Sequence, residues 1–102
     1  MSNQQDGLAV ANTIREQIGG RALFMLGAFN LLGDDRSLSF RIRGCRDGNL
    51  ISVRLDPSDT YTVKLLKVGG RAGVVEVASW PLVYCDELRY AIERITGLAT
   101  SL

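Results

Sequence analysis

The chain has 102 residues, of which 46% are hydrophobic and 23% are charged, and its formal net charge is +1. This length favours one domain with a single modest core, and this composition argues against intrinsic disorder. No apolar run reaches the ~18 residues of a membrane-spanning helix, and residues 1–7 lack the layout of a signal peptide. We therefore expect a single domain over residues 1–102, without membrane association, that stays in the compartment of its synthesis. Residues 1–6 are expected to form a flexible tail.

The N-terminal third of the chain predicts one helix and one buried strand. Residues 7–18 have the spacing of an amphipathic helix, because apolar side chains recur on one stripe at Val10, Ile14 and Ile18. Asp6 is placed to cap the start of this helix, and the double glycine after residue 18 is placed to end it. Residues 22–29 are the most hydrophobic stretch and are predicted to form a buried strand. Residues 30–36 are predicted to be a turn-rich break.

Three segments with alternating polarity follow, and each predicts a strand with one face toward the core. The inward positions are Leu38, Phe40 and Ile42, then Ile51, Val53 and Leu55, then Tyr61, Val63 and Leu65. Loops are expected at residues 44–49 and 56–59. This alternation is typical of antiparallel strands with one solvated face. The pair Leu65-Leu66 breaks the alternation and predicts a bulge.

The C-terminal third predicts a fifth strand over residues 74–78, closed by Trp80-Pro81, and a helix over residues 86–96. The inner stripe of this helix comprises Leu88, Ala91, Ile92 and Ile95. The order of elements predicts an α+β fold. It consists of an N-terminal helix, a twisted antiparallel sheet of four to five strands, and a C-terminal helix packed on the sheet, with the other face of the sheet partly exposed.

Few residues of this chain suggest catalysis. The sequence contains no histidine, which is the commonest general base and metal ligand. Cys45 and Cys85 lie forty positions apart and are expected to be free thiols. A reactive thiolate at Cys85 is less favoured than a partly buried structural cysteine. The paired carboxylates Asp34-Asp35 and Asp86-Glu87 are better explained by turns and helix capping. We therefore expect a protein that is not an enzyme and has no cofactor and no metal.

The charge of the chain is concentrated in its middle. Residues 36–71 contain eight basic and three acidic side chains, a net charge of +5, and each flank carries −2. Alternation places four cations on the side of the sheet away from the core: Arg41, Arg43, Arg54 and Lys64. Such a face can bind nucleic-acid phosphates or an acidic protein surface. A plain solvated face is the competing interpretation, since Phe40 and Tyr61 point inward and leave no platform for stacking bases.

From about residue 13 to the C-terminus, the chain is similar to a family of small uncharacterised proteins of tailed bacteriophages and prophages. The residues that carry the similarity are Gly19-Gly20-Arg21, Gly27-Ala28, Asn30, Leu38-Ser39-Phe40-Arg41, Asp59-Thr60-Tyr61-Thr62-Val63, Val83-Tyr84, Leu88-Arg89 and the ending Thr96-Gly97-Leu98-Ala99-Thr100-Ser101-Leu102. The ending is the most specific part. The chain departs from the family at Phe29, where the family has lysine, and at Ala99, where it has tyrosine. The resemblance implies a phage origin and residence in bacterial cytoplasm, but no reaction.

These observations lead to one main hypothesis and one alternative. The main hypothesis is a non-enzymatic phage accessory protein that binds nucleic acid, preferably single-stranded, through the basic sheet face. The alternative is an inhibitor or modulator of a host protein that acts by protein–protein binding. Apolar side chains left over at Leu66, Val74 and Trp80 also predict a homodimer or higher homo-oligomer.

Overall fold

A computed structural model describes residues 8–71 and 73–98 of the chain. Its elements are, in chain order, α1 (Ala9–Ile18), α2 (Gly20–Met25), β1 (Phe29–Gly33), β2 (Ser37–Arg41), β3 (Leu50–Leu55), β4 (Tyr61–Val68), β5 (Val74–Val83), a 3₁₀ helix (Cys85–Glu87) and α3 (Leu88–Thr96). The strands form one antiparallel sheet in the order β1-β2-β3-β4-β5. The predicted α+β architecture is therefore confirmed, with one more helix than expected.

The first helix forms where helical periodicity predicts it, and it buries Ala11, Ile14 and Ile18. Gly19 ends it with a φ of 91°, a conformation that favours glycine. The predicted tail over residues 1–6 and the cap at Asp6 lie outside the described residues.

The buried strand predicted over residues 22–29 is wrong, because residues 20–25 form helix α2. A short apolar run does not distinguish a buried strand from a buried helix. Here Ala22, Leu23 and Leu26 are buried at helical spacing. The break predicted over residues 30–36 is also too long, since β1 continues to Gly33 and only residues 34–36 turn toward β2.

The three alternating strands are confirmed as β2, β3 and β4, and their predicted inward side chains form the core. Eight of these nine side chains are buried and the ninth, Leu55, is half-buried. The helices contribute to the same hydrophobic cluster through Ile14, Ile18, Leu88 and Ile92. All three helices therefore cover one face of the sheet. We call the opposite face the outer face.

Strand β5 is twice as long as the predicted five residues and runs through Trp80-Pro81 to Val83. The predicted irregularity at Leu65-Leu66 is confirmed. Leu65 pairs with Ala78 and Leu66 pairs with Glu76, so Val77 is an extra residue in β5. Pro81 is tolerated because β5 is an edge strand, where a missing N–H group need not break a ladder.

The final helix begins with the 3₁₀ helix and ends at Gly97, which has the left-handed conformation common at helix C-termini. Its buried side chains are Leu88, Ala91 and Ile92, as predicted, and Ile95 is half-buried. Within residues 8–71 and 73–98, no helix has the length and apolar character needed to cross a membrane.

Candidate functional site

Cross-strand pairing arranges the side chains of the outer face in three rows. The first row contains Phe29, Arg41, Leu50, Leu66 and Glu76; the second contains Leu32, Ser39, Ser52, Lys64 and Ser79; the third contains Ser37, Arg54 and Thr62. Three of the four predicted cations therefore lie in register on this face. The fourth, Arg43, lies two residues beyond the end of β2.

The four cations do not form one continuous patch. Arg41 lies opposite Leu50, which is four residues from Arg54 along β3, so the two arginines are separated by about 13 Å of strand. Lys64 is the diagonal neighbour of Arg54 on the next strand. The site consequently divides into two parts. We call Phe29, Arg41 and Arg43 the Arg41 group, and Arg54, Lys64, Asp56 and Glu76 the Arg54 group.

In the Arg41 group, two arginines lie beside an aromatic ring and have no nearby carboxylate. The Cζ atom of Arg43 is 4.5 Å from the centroid of the Phe29 ring, which is a cation–π arrangement. The Nε atom of Arg41 is buried and has no hydrogen-bond partner in the described part of the chain. Among the described residues, neither arginine has a carboxylate oxygen within 4.0 Å. Their positive charges are available to an external anion.

In the Arg54 group, carboxylates accompany the cations. Lys64 Nζ forms an ion pair with Glu76 Oε1 at 3.1 Å. The Thr62 hydroxyl donates a hydrogen bond of 2.6 Å to Asp56 Oδ2. These residues surround a depression of about 200 Å³ that is lined by Ser52, Arg54, Asp56, Thr62 and Lys64. One of the two cations here, Lys64, is therefore paired within the protein, and Arg54 lines the same depression as Asp56.

A further carboxylate, Asp34, lies within electrostatic reach of Arg54. The Arg36 backbone N–H and the Ser37 hydroxyl hold the pKa of Asp34 below its usual value, and the positive charge of Arg54 lowers this pKa further. The Arg54 group therefore has a further negative charge near its cations, which the Arg41 group does not have among the described residues.

The sequence does not indicate Phe29 as a site residue, because Phe29 ends an apolar stretch that predicts a buried strand. In the structure, Phe29 pairs with Arg41 on the outer face and is only half-buried. The signal that could have found it is the turn at residues 34–36. Counting back from this turn in an antiparallel hairpin places β1 beside β2. The bulge between Phe29 and Leu32 sets the final register.

Hydrogen bonds within the protein explain two of the other candidates, Asp34 and Glu87. Asp34 accepts hydrogen bonds from the backbone of its own turn, and Glu87 accepts one from the Tyr84 N–H at the start of the last helix. The expectation of a partly buried cysteine at Cys85 is wrong, because Cys85 is exposed. Cys45 is half-buried with its Sγ atom 3.5 Å from the Thr96 carbonyl oxygen, and both cysteines are free thiols. The described residues contain no cluster of three or more side chains suited to a metal ion.

The chain matches no family model, no curated protein and no solved structure. The candidate site is therefore defined by its geometry alone.

Proposed function

We propose that this chain is a non-enzymatic protein that binds nucleic acid, preferably single-stranded, through the outer face of its sheet. The observation that carries the proposal is the Arg41 group. Two arginines lie at one end of a solvated sheet face without carboxylate partners among the described residues, and one of them lies over an aromatic ring.

The chemistry of this group suits a phosphodiester chain. Guanidinium groups bind phosphate oxygens through two parallel hydrogen bonds, which a lysine does not provide. The Ser52 hydroxyl lies in the adjacent row, where it is a further donor to phosphate or sugar, whereas the Ser39 hydroxyl donates to the Leu32 carbonyl oxygen at 3.5 Å. The result is a strip of donors that runs from the Arg41 group toward the middle of the sheet.

A preference for single strands follows from the pairing of Arg43 with Phe29. Unpaired bases stack on aromatic rings and on the planes of arginine guanidinium groups, whereas the bases of a duplex are already stacked on each other. The Phe29 ring supports one side of the Arg43 guanidinium, and the other side is available to a base.

We also propose that the protein acts in bacterial cytoplasm as a bacteriophage accessory protein. The sequence resemblance described above supports this proposal. Under the alternative hypothesis, the same arginines would bind an acidic surface of a host protein. A titration with oligonucleotides distinguishes a nucleic-acid partner from a protein partner.

The test is a fluorescence anisotropy titration of the wild-type protein with short labelled single-stranded and double-stranded oligonucleotides. At physiological salt we expect a Kd near 10⁻⁶–10⁻⁴ M that is lower for single strands, and binding should be tighter at about 50 mM salt than at about 200 mM salt. The variant Arg89→Ala, which removes an exposed arginine from helix α3, is the matched control and should bind like the wild type. The proposal is wrong if the wild type does not bind either oligonucleotide at low salt. Recovery of a stoichiometric host protein after nuclease treatment would then favour the alternative.

A further inference from the structure

The free edge of β5 carries several exposed apolar side chains. Strand β5 has no neighbour on one side, and it exposes three valines: 58% of Val74, 45% of Val75 and 42% of Val77. The same strand exposes 69% of Leu82, and Tyr90 of helix α3 is 57% exposed beside it. Trp80 contacts Tyr90 with ring centroids 6.2 Å apart. Apolar side chains therefore follow most of the strand.

The two edges of the sheet differ in how they resist pairing with another strand. Strand β1 has only five residues, and a bulge between Phe29 and Leu32 interrupts it. Strand β5 has ten residues. Its one acidic side chain, Glu76, forms an ion pair with Lys64 of the same chain, so the edge carries little net charge. Charges, prolines, bulges and short strands all protect sheet edges, and β5 carries Glu76, the extra residue Val77 and Pro81; it differs from β1 in its length and in its exposed valines.

The arrangement of these side chains is self-complementary. A two-fold axis near the middle of β5, perpendicular to the sheet, would pair two copies of the strand in antiparallel fashion. The Val74–Val77 half of one copy then lies beside the Trp80–Leu82 half of the other. Glu76 of one copy does not face Glu76 of the other, and Pro81, which has no N–H to donate, falls near the end of the paired segment. Each apolar half thus covers the other.

On the helical face of the sheet, helix α3 would add to the contact between the two copies. Helix α3 packs on β4 and β5, so two copies of α3 flank the axis and bring the two Tyr90 side chains to the interface. A half-exposed tyrosine contributes on the order of 100 Å² of surface. Four further apolar side chains and a strand edge on each copy add to this area, which compares with the ~800 Å² per partner of a standard interface.

We propose that two copies of this chain form a two-fold dimer through the edges of β5, with one continuous ten-stranded sheet. This dimer is independent of the proposed function. If both hold, the two Arg41 groups lie on the same side of the joined sheet.

The test is the mass of the protein in solution, measured by light scattering across the micromolar range. We expect about twice the 11.1 kDa of one chain for the wild type. The variant Val75→Lys/Val77→Lys should be monomeric with an unchanged circular dichroism spectrum, because both side chains are already partly exposed. The matched control Leu32→Lys places a charge on the exposed β1 edge and should remain dimeric.

Amide hydrogen exchange of the wild type provides a second measurement that requires no variant. Protection over residues 74–80 should increase with protein concentration, and protection over residues 29–33 should not. A wild type that is monomeric throughout the range would overturn the proposal. So would a dimer that Leu32→Lys dissociates and Val75→Lys/Val77→Lys does not.

Discussion

Arg41 and Arg54 project from the same face of neighbouring strands, yet their surroundings differ. Arg41 lies next to Arg43, in a row that begins with Phe29 and reaches Glu76 only three strands away, and no carboxylate lies within 4.0 Å of it among the described residues. Arg54 lies near Asp56, Asp34 and the Lys64–Glu76 ion pair. The two groups have equal numbers of cations but unequal net charge.

This difference shows why the net charge of a segment is a poor guide to a binding surface. The +5 charge of residues 36–71 is a property of the sequence, whereas Glu76 and Asp34 come from outside that segment. Strand pairing and the β1–β2 turn bring both carboxylates to the Arg54 group. The outer face is therefore basic mainly at the end where β2 finishes and β3 begins.

Removal of both arginines of the Arg41 group should have the largest effect on binding. Exposed charge contacts contribute up to about 1 kcal/mol each, so Arg41→Ala/Arg43→Ala should raise the Kd for single strands by about tenfold at low salt. The matched variant Arg54→Ala/Lys64→Ala removes the same charge and should raise the Kd by no more than about threefold, because Lys64 is already paired with Glu76 and the charge of Arg54 acts on Asp34. Equal losses in anisotropy titrations would contradict the division into two groups.

Replacement of the aromatic ring under Arg43 should have a smaller effect that is specific to single strands. Phe29→Leu keeps an apolar side chain but removes a cation–π contact of about 0.5–1 kcal/mol at an exposed site, so single-strand binding should weaken by about two- to fivefold. Duplex binding should not change. The control Phe24→Leu alters an exposed aromatic residue of α2 on the helical side. A loss shared equally by single strands and duplexes would argue against base stacking at this position.

Neutralising Glu76, the partner of Lys64, should increase the positive charge that the Arg54 group offers to a nucleic acid. Glu76→Gln releases Lys64 from its ion pair and should lower the Kd by about twofold at low salt, an effect that higher salt should remove. Glu16→Gln, on the exposed side of α1, removes the same charge from the helical side and serves as the control. Tighter binding by the control alone would indicate that only the total charge matters.

The smallest expected effect is on the pKa of Asp34. Arg54→Ala should raise this pKa toward the ordinary aspartate value, because the charge of Arg54 helps to lower it. Arg41→Ala should leave it unchanged. A carboxyl titration by NMR measures both. Since the pKa is depressed in the folded state, the associated stability is present above the ordinary pKa of about 3.9 and is lost as the pH falls through the folded-state pKa.

Much of the fold could be predicted because β2, β3 and β4 each bury one face and expose the other. The resulting two-residue period places Phe40, Val53 and Val63 in the core and Arg41, Arg54 and Lys64 outside. The prediction failed over residues 22–33. A short apolar run lacks a period that separates helix from strand, and β1 exposes leucines rather than polar side chains.

The cations of the candidate site could also be predicted, but their grouping could not. Which side chains lie on the outer face depends on the alternation of polar and apolar residues, and this alternation is visible in the sequence. The partners of each cation depend on register and on bulges. The extra residue Val77 shifts β5 so that Glu76 pairs with Leu66 and its carboxylate reaches Lys64. Phe29 became part of the site for the same reason, through a bulge in β1.

The salt dependence of single-strand binding tests the central claim most directly. For single strands, each lost phosphate contact reduces the log–log salt slope by roughly 0.7, so Arg41→Ala/Arg43→Ala should make the slope shallower by roughly 1.4 than in the wild type. Arg54→Ala/Lys64→Ala should leave the slope close to that of the wild type. A slope that is unchanged in the first variant and shallower in the second would contradict the account.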